Sequence, residues 1–521
     1  MNLLHRFTKA IGKDAVSNWQ PNPTIYEINT WVWLRDLSKQ FNQDITLANI
    51  PEAIIKELAS YRFDAIWMMG VWYRSPATRD SARNYIHEYE GALPDITIED
   101  VPGSAYSIGG YHVEPRLGGR DGLATFRKQL SAYGIKLVLD YVPNHVSTDH
   151  PWISEHPEYF IQGTQEEADH DSIDFFYSDT VDGKGVVVAR GRDPYFPPWI
   201  DTTQFNAFHP ALRQATIDTL IDIGSQCDGV RCDMAMLMMN HIFKKTWGKR
   251  AGDMPDIDFW NQVIPAVRET HPDMLFMAEV YWNLEHDLQL QGFDYTYDKT
   301  LYDRMVNNEV DEIKAHFKAD MSYLKASIRF IENHDEPRAM DKFGAERQRP
   351  AATLISTIPG ATLLHDGQFS GRRIKLPVQI NRQPDEPNHP LLQQFYKRLL
   401  QEVNDPIYRY GEWVMLEIKP AFEGDGNHSH LNPIAYTWQD AEEFRLIIVN
   451  FTYEWSHGRL DLSHWGGLAN HDWRLYDVLS ETYTYREGDR LVDNGLVFDI
   501  APYGARIYHF SRLKQVSRKH H

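Results

Sequence analysis

Asp228-Gly229-Val230-Arg231-Cys232-Asp233 is the stretch on which the reading of this chain turns. Before it, residues 210–227 carry Leu212, Ile217, Leu220, Ile221 and Ile223 at roughly helical spacing. The hexapeptide itself is short, strand-like and closed by a carboxylate. A helix, a strand and then an acid at the strand's C-terminal end is how a parallel barrel presents chemistry, because its functional face is built where strands hand over to loops. Arg231 stands two residues before Asp233, so on a strand both side chains point to the same face. A guanidinium there would hold the carboxylate ionised, as a nucleophile requires. Read alone, the pair is equally a strand-end salt bridge.

The same rhythm extends to both sides. Strands are expected at 24–30, 63–70, 135–142, 228–233, 275–280, 293–297, 327–331 and 361–365. Helices are expected at 51–61, 121–133, 210–227, 257–270, 310–324, around 351 and at 391–403. Eight alternations make an α/β fold of the closed (β/α)8 barrel type the natural architecture. Two segments break the rhythm. Residues 71–111 form a long connection rich in Tyr, Pro and Gly, of the kind that covers a functional face. Residues 143–206 contain Asp182-Gly183-Lys184-Gly185 followed by Val186-Val187-Val188, a hairpin signal, and read as a small inserted subdomain after the third strand. Beyond 404, short alternating runs such as 444–450, 473–478 and 505–510 indicate an all-β domain, read as a sandwich. The expected organisation is a barrel from 1–142 plus 207–404, an insert at 143–206 and a C-terminal β domain at 405–521.

Composition narrows the function. A formal charge of −20 over 521 residues, with no long basic run, argues against a nucleic-acid surface. Cys227 and Cys232 are the only cysteines, too few for a disulfide framework. Residues 1–10 lack the apolar core and cleavage site of a secretion leader. No run approaches the ~18 apolar residues of a membrane span. The expectation is a cytoplasmic protein without nucleic-acid or membrane partners, its oligomeric state undefined by sequence. With 15 Trp, 27 Tyr and 24 Phe the chain is rich in flat rings, several in expected loops, where they suit the apolar faces of sugars.

Asp233, Glu279 and Asp335 each end a different expected strand, the fourth, fifth and seventh, and in a barrel those ends converge. Two acids flanking a bond are what displacement at a glycosidic carbon needs: one attacks or stabilises the sugar cation, the other protonates the leaving oxygen. Glu279 follows the apolar run Phe276-Met277-Ala278, which would raise its pKa toward that of a general acid.

The stretches 139–145 (Leu-Asp-Tyr-Val-Pro-Asn-His), 229–233 (Gly-Val-Arg-Cys-Asp), 277–280 (Met-Ala-Glu-Val) and 332–335 (Glu-Asn-His-Asp) resemble, in order, the four sequence regions of the α-amylase family of glycoside hydrolases. Tyr111, in Gly110-Tyr111-His112-Val113, resembles that family's substrate-stacking tyrosine. The resemblance implies a retaining enzyme acting on α-glucosidic bonds of oligosaccharides, as hydrolase or transglycosylase. By the resemblance Asp233 is the nucleophile, Glu279 the acid/base and Asp335 the stabiliser of the transition state. Arg231 would buttress Asp233, His145 and His334 would bond sugar hydroxyls, and Asp140 would be structural.

Departures accompany the resemblance. Met234-Ala235-Met236-Leu237 follows Asp233 where many endo-acting members resemble Lys-His at the last two positions. Asn144 alone speaks for a structural calcium, so no cofactor or metal is expected. Asp169, Asp171, Asp174 and Asp179 in the insert stand either as surface charge or as an unrecognised ion site. The sequence around 364–369 also departs from the family's usual pattern, so substrate identity, linkage and chain length stay open. Two other readings compete: a non-catalytic sugar-binding or scaffold protein on the same barrel, and a metal-dependent hydrolase built on Asp140, His145, Asp149 and His150.

Overall fold

Eight parallel strands close on one another in sequence order: β1 Thr24–Asn29, β2 Ala65–Met69, β3 Lys136–Tyr141, β4 Gly229–Cys232, β5 Leu275–Ala278, β6 Tyr295–Tyr297, β7 Ser327–Arg329 and β8 Ala361–His365. The computed structural model describes residues 18–513 apart from 423 and 425. The stretch read for a leader (1–10) lies outside the described residues. Each strand is buried nearly end to end, which is why the sequence shows them as apolar runs and not as alternation.

The exceptions inside those runs carry the interest. Glu27 on β1 lies in register with Trp67 on β2 and His365 on β8. Arg231 on β4 is in register with Asp140 on β3 and Met277 on β5. In-register residues share a face, so ionisable side chains line the upper barrel interior in place of the usual aliphatic layer.

Two expectations are corrected. The helix expected at 51–61 is present as Glu52–Ser60 but is not the first: Thr30–Phe41 turns helical directly after β1, with the Asn29 side chain accepting from Val32 N–H and Trp31, Val32, Leu34 and Leu37 buried. Its β-branched and aromatic start reads as continued strand, whereas the Asn cap ends the strand. The single helix expected at 310–324 is two, Val310–His316 and Met321–Lys325, preceded by Lys299–Asn307.

The 71–111 connection folds over the barrel mouth as a helix, Pro76–Asn84, and an antiparallel pair, Trp72–Arg74 with Ile108–Val113. The insert carries the expected hairpin, Phe175–Ser178 with Val186–Ala189, and a second pair, His145–Ser147 with Thr202–Gln204, around a small core that includes Val146, Phe160, Val188 and Phe205. The C-terminal region forms a six-stranded and a three-stranded antiparallel sheet. One face of the larger sheet packs on Trp465, Leu468 and Phe498; the other, through Tyr436, Trp438 and Ile447, joins the barrel core. No helix among the described residues is long and apolar enough to cross a membrane.

Candidate active site

Arg231 is wholly buried at the end of β4 and lies within 4.0 Å of carboxylates on or just beyond three other strands. Its Nη1 donates to Asp233 Oδ1 at 2.6 Å and its Nη2 stands 2.8 Å from Glu279 Oε2; Asp335 Oδ2 lies 3.7 Å away and Asp140 Oδ1 4.0 Å. The aromatic rings of Trp67, Tyr106 and Tyr297 surround the guanidinium at 5.2–5.8 Å. One cation of fixed charge thus brings together the three acids that the strand ends suggest.

Sharing alters the expected electrostatics. Burial, followed by the charge of Glu279, outweighs Arg231 and pushes Asp233 up to about 8. The expectation that the arginine by itself keeps Asp233 ionised is therefore corrected: one guanidinium serves two buried carboxylates, and the pair retains a proton near neutrality. Glu279 is further held by Tyr281, whose hydroxyl donates to Oε1 at 2.7 Å, and by the N–H of Met234, which donates to Oε2 at 2.7 Å.

His334 lies between two carboxylates. Its Nδ1 faces Glu27 Oε1 and its Nε2 is 2.9 Å from Asp335 Oδ2. Burial opposes its charge, yet Asp335 and Glu27 prevail and raise the imidazolium to about 10. The same contact, against the opposing effect of burial, holds Asp335 well below the usual carboxylate range. Tyr106 stacks on the His334 ring, centroids 5.2 Å apart and planes 17° from parallel.

The remaining expected residues have other surroundings. Tyr111 donates its hydroxyl to Val142 C=O and accepts Val142 N–H, both at 2.9 Å, with its ring half-buried beside Trp72 and Tyr141. His145 faces Tyr106 C=O through Nε2 at 3.2 Å and the Asn144 amide through Nδ1 at 3.3 Å; burial lowers it to about 4, so the ring is neutral. Asp140 accepts from Trp67 Nε1 and Gly70 N–H, a structural anchor.

The side-chain oxygen of Asn144, the one residue that speaks for calcium, is already engaged. Asn144 Oδ1 accepts the Gln204 amide at 2.9 Å, Gln204 Oε1 accepts from Asn144 Nδ2 and Arg192 N–H, and both side chains are almost fully buried. An amide pair occupies the oxygen that an ion would need. Of the insert aspartates, Asp174 pairs with Arg192 at 3.1 Å and Asp169 accepts from Gln165. Among the described residues no group of three or more His, Cys, Asp or Glu side chains gathers as an ion site, which includes the set Asp140, His145, Asp149 and His150.

Sequence reasoning missed Glu27, Tyr106, Tyr281 and Lys375. Lys375 donates to the backbone carbonyl of Asp335. Glu27 had a visible signal, a charge inside a fully buried strand. Tyr281 had a weaker one, standing two residues after Glu279.

Residues 54–391 match the family model described as "Alpha amylase, catalytic domain". Among curated relatives, "Alpha-amylase MalA" of Haloarcula japonica is 26% identical over 271 residues, 50% of this chain and 36% of the relative. "Alpha-1,4-glucan:maltose-1-phosphate maltosyltransferase" of Chlorobaculum tepidum is 25% identical over 268 residues, 50% of this chain and 33% of the relative. The chain thus spans about a third of the length of these two relatives. Among solved structures, the noncanonic maltogenic α-amylase AmyB from Thermotoga neapolitana superposes with TM-score 0.65 at 17% identity, covering 96% of this chain and 100% of that one, a likeness of fold.

Proposed function

The chain belongs to the α-amylase family, and from that premise we propose that it breaks α-glucosidic bonds of oligosaccharides by double displacement with net retention, passing the glycosyl group to water or to a second sugar. Asp233 attacks the anomeric carbon while Glu279 gives its proton to the departing oxygen. In the second step Glu279 takes a proton from the incoming acceptor, whose oxygen displaces Asp233. Asp335, fixed against the His334 imidazolium, accepts hydrogen bonds from ring hydroxyls, and Tyr111 offers its ring to the apolar face of the same sugar.

The observation that carries this reading is the single guanidinium of Arg231 bound to both Asp233 and Glu279. Both carboxylates stand at one guanidinium, 2.6 and 2.8 Å from its two terminal nitrogens, and the proposal requires them ~5–5.5 Å apart as in retaining enzymes, against the ~6.5–9.5 Å that leaves room for a water between the acids. A non-catalytic sugar binder is not favoured, since all three carboxylates stand.

Product analysis of the purified protein with maltose, maltooligosaccharides, sucrose and trehalose tests the proposal. Glycosyl release or transfer from at least one of them, abolished in Asp233→Asn, is the expected result; no turnover of any α-glucoside would overturn it.

A further inference from the structure

Beside Glu279 a cleft of about 440 Å³ opens between the insert and the loop after β5. Its position relative to the chemistry is fixed by two of its walls. Met234 donates its N–H, and Tyr281 its hydroxyl, to the two oxygens of Glu279. An acid/base stands on the side of the departing group, so a cleft walled by its two hydrogen-bond donors receives whatever leaves or accepts.

Two aromatic rings, Phe196 from the insert and Trp282 from the loop after β5, give the cleft its apolar surface. Trp282 and Asn283 hold consecutive left-handed conformations, φ 67° and 60°, and Tyr195 packs edge-on to Trp282 at 4.8 Å. Strained backbone kept in place by packing is a feature of binding surfaces.

The ionisable groups of the cleft are unequal in sign. Asp193, Glu285 and Asp303 line it against one cation, Lys299. That lysine is already engaged, with its Nζ on Asp303, 3.4 Å from Glu336 and over the Tyr302 ring at 4.8 Å. Asp193 spends its carboxylate on the N–H groups of Tyr195 and Phe196. Glu285, only 5% exposed, has no side-chain donor among the described residues. Burial pushes it up to about 7, so it stands ready to donate or accept a hydrogen bond. No guanidinium and no free ammonium lines this space, and of the two helices that open on it, Glu285–Leu290 is only six residues long and Lys299–Asn307 already has its N-terminus capped by the Asp298 carboxylate, which accepts Leu301 N–H at 3.1 Å.

Resting on the proposed transglycosylase or hydrolase reading, we propose that this cleft admits an uncharged leaving or accepting sugar and excludes a phosphorylated one. Aromatic walls accept the apolar face of a pyranose, and Glu285 meets its hydroxyls. A phosphate would instead lie among carboxylates with no cation to spare, and like charges placed together in a partly desolvated site are strongly disfavoured.

The test compares donors that share a maltosyl group and differ in what leaves. Maltotriose releases glucose, maltose 1-phosphate releases phosphate, and maltotriose carrying a 6-phosphate on its reducing-end glucose releases a phosphorylated sugar. Wild-type kcat/KM is expected to be at least about 100-fold higher for maltotriose than for either phosphorylated probe. Affinity is read separately by calorimetry in Glu279→Gln, where turnover does not interfere. There the 6-phosphate is expected to weaken maltotriose binding by at least about tenfold. The double variant Glu285→Gln/Asp303→Asn should narrow the wild-type ratio by about tenfold.

Equal binding of the two maltotrioses, or a ratio unchanged in the double variant, would overturn the inference whatever the activity. Retained discrimination in binding, with no turnover of maltotriose or any other α-glucoside, would support the inference and overturn the functional reading alone.

Discussion

Glu27 on the first barrel strand accepts a hydrogen bond from His334, which follows the seventh strand 307 residues later, and both side chains are buried. The other ring nitrogen of His334 meets Asp335, so the imidazolium is held between two carboxylates. The folded pKa, about 10, lies above the ordinary value of ~6.5. The stabilisation from this group is therefore complete below pH ~6.5 and is lost as pH rises toward about 10. Glu27→Leu, which leaves a buried imidazolium with one partner, should cost about 3–5 kcal/mol in urea denaturation at pH 6. Glu27→Gln should cost less and lower the midpoint of the His334 titration followed by NMR. A His334 titration unchanged by Glu27→Gln would refute the coupling.

Removing either acid of the central pair should abolish turnover while sparing the fold. We expect Asp233→Asn to lose at least about 10³-fold in kcat and Glu279→Gln about 10²–10⁴-fold on substrates with poor leaving groups. The two carboxylates crowd one guanidinium, so each neutralisation should leave the melting temperature unchanged or raise it. A large fall in melting temperature with residual activity would show the acids to be structural.

The proton on that pair sets the pH dependence. Asp233 is raised to about 8, so the pair keeps its proton below that pH and loses it above. A reaction that needs one protonated carboxyl must slow as pH rises through about 8. A plot of log kcat/KM against pH should bend downward there. A profile flat to pH 10 would contradict the shared proton.

Much of the barrel was legible because its strands are buried on both faces and announce themselves as apolar runs. The three carboxylates proposed to act in catalysis were legible because each follows such a run, Asp233 and Glu279 directly and Asp335 a few residues on. What stayed hidden depends on partners distant in sequence. Glu27 stands out as a charge in a buried strand, yet nothing local reveals that it serves His334. Tyr106 lies in a connection without periodicity, so its stacking on His334 had no sequence signature. The helix at Thr30–Phe41 was hidden by a Thr-Trp-Val-Trp start that favours strand, and tertiary burial together with the Asn29 cap outweighs that preference. The sharing of Arg231 by two acids is a property of the closed barrel, and sequence spacing exposes only its contact with Asp233.

The Asn144–Gln204 amide pair, in place of an ion, predicts indifference to chelation. EDTA should leave both the melting temperature and the activity unchanged. Gln204→Leu strands the buried Asn144 amide and should destabilise by about 1–3 kcal/mol. A melting temperature that falls in EDTA and recovers with added calcium would show an ion site that the amide pair does not replace.

The most direct test of the account is the configuration of the first product. Proton NMR of maltotriose hydrolysis, recorded within the first turnovers and before mutarotation, resolves the anomeric signals of the newly formed reducing end. Attack by Asp233 followed by displacement predicts the α-anomer first, with β appearing only as mutarotation proceeds. Initial release of the β-anomer would require direct attack by water and would contradict the covalent role assigned to Asp233.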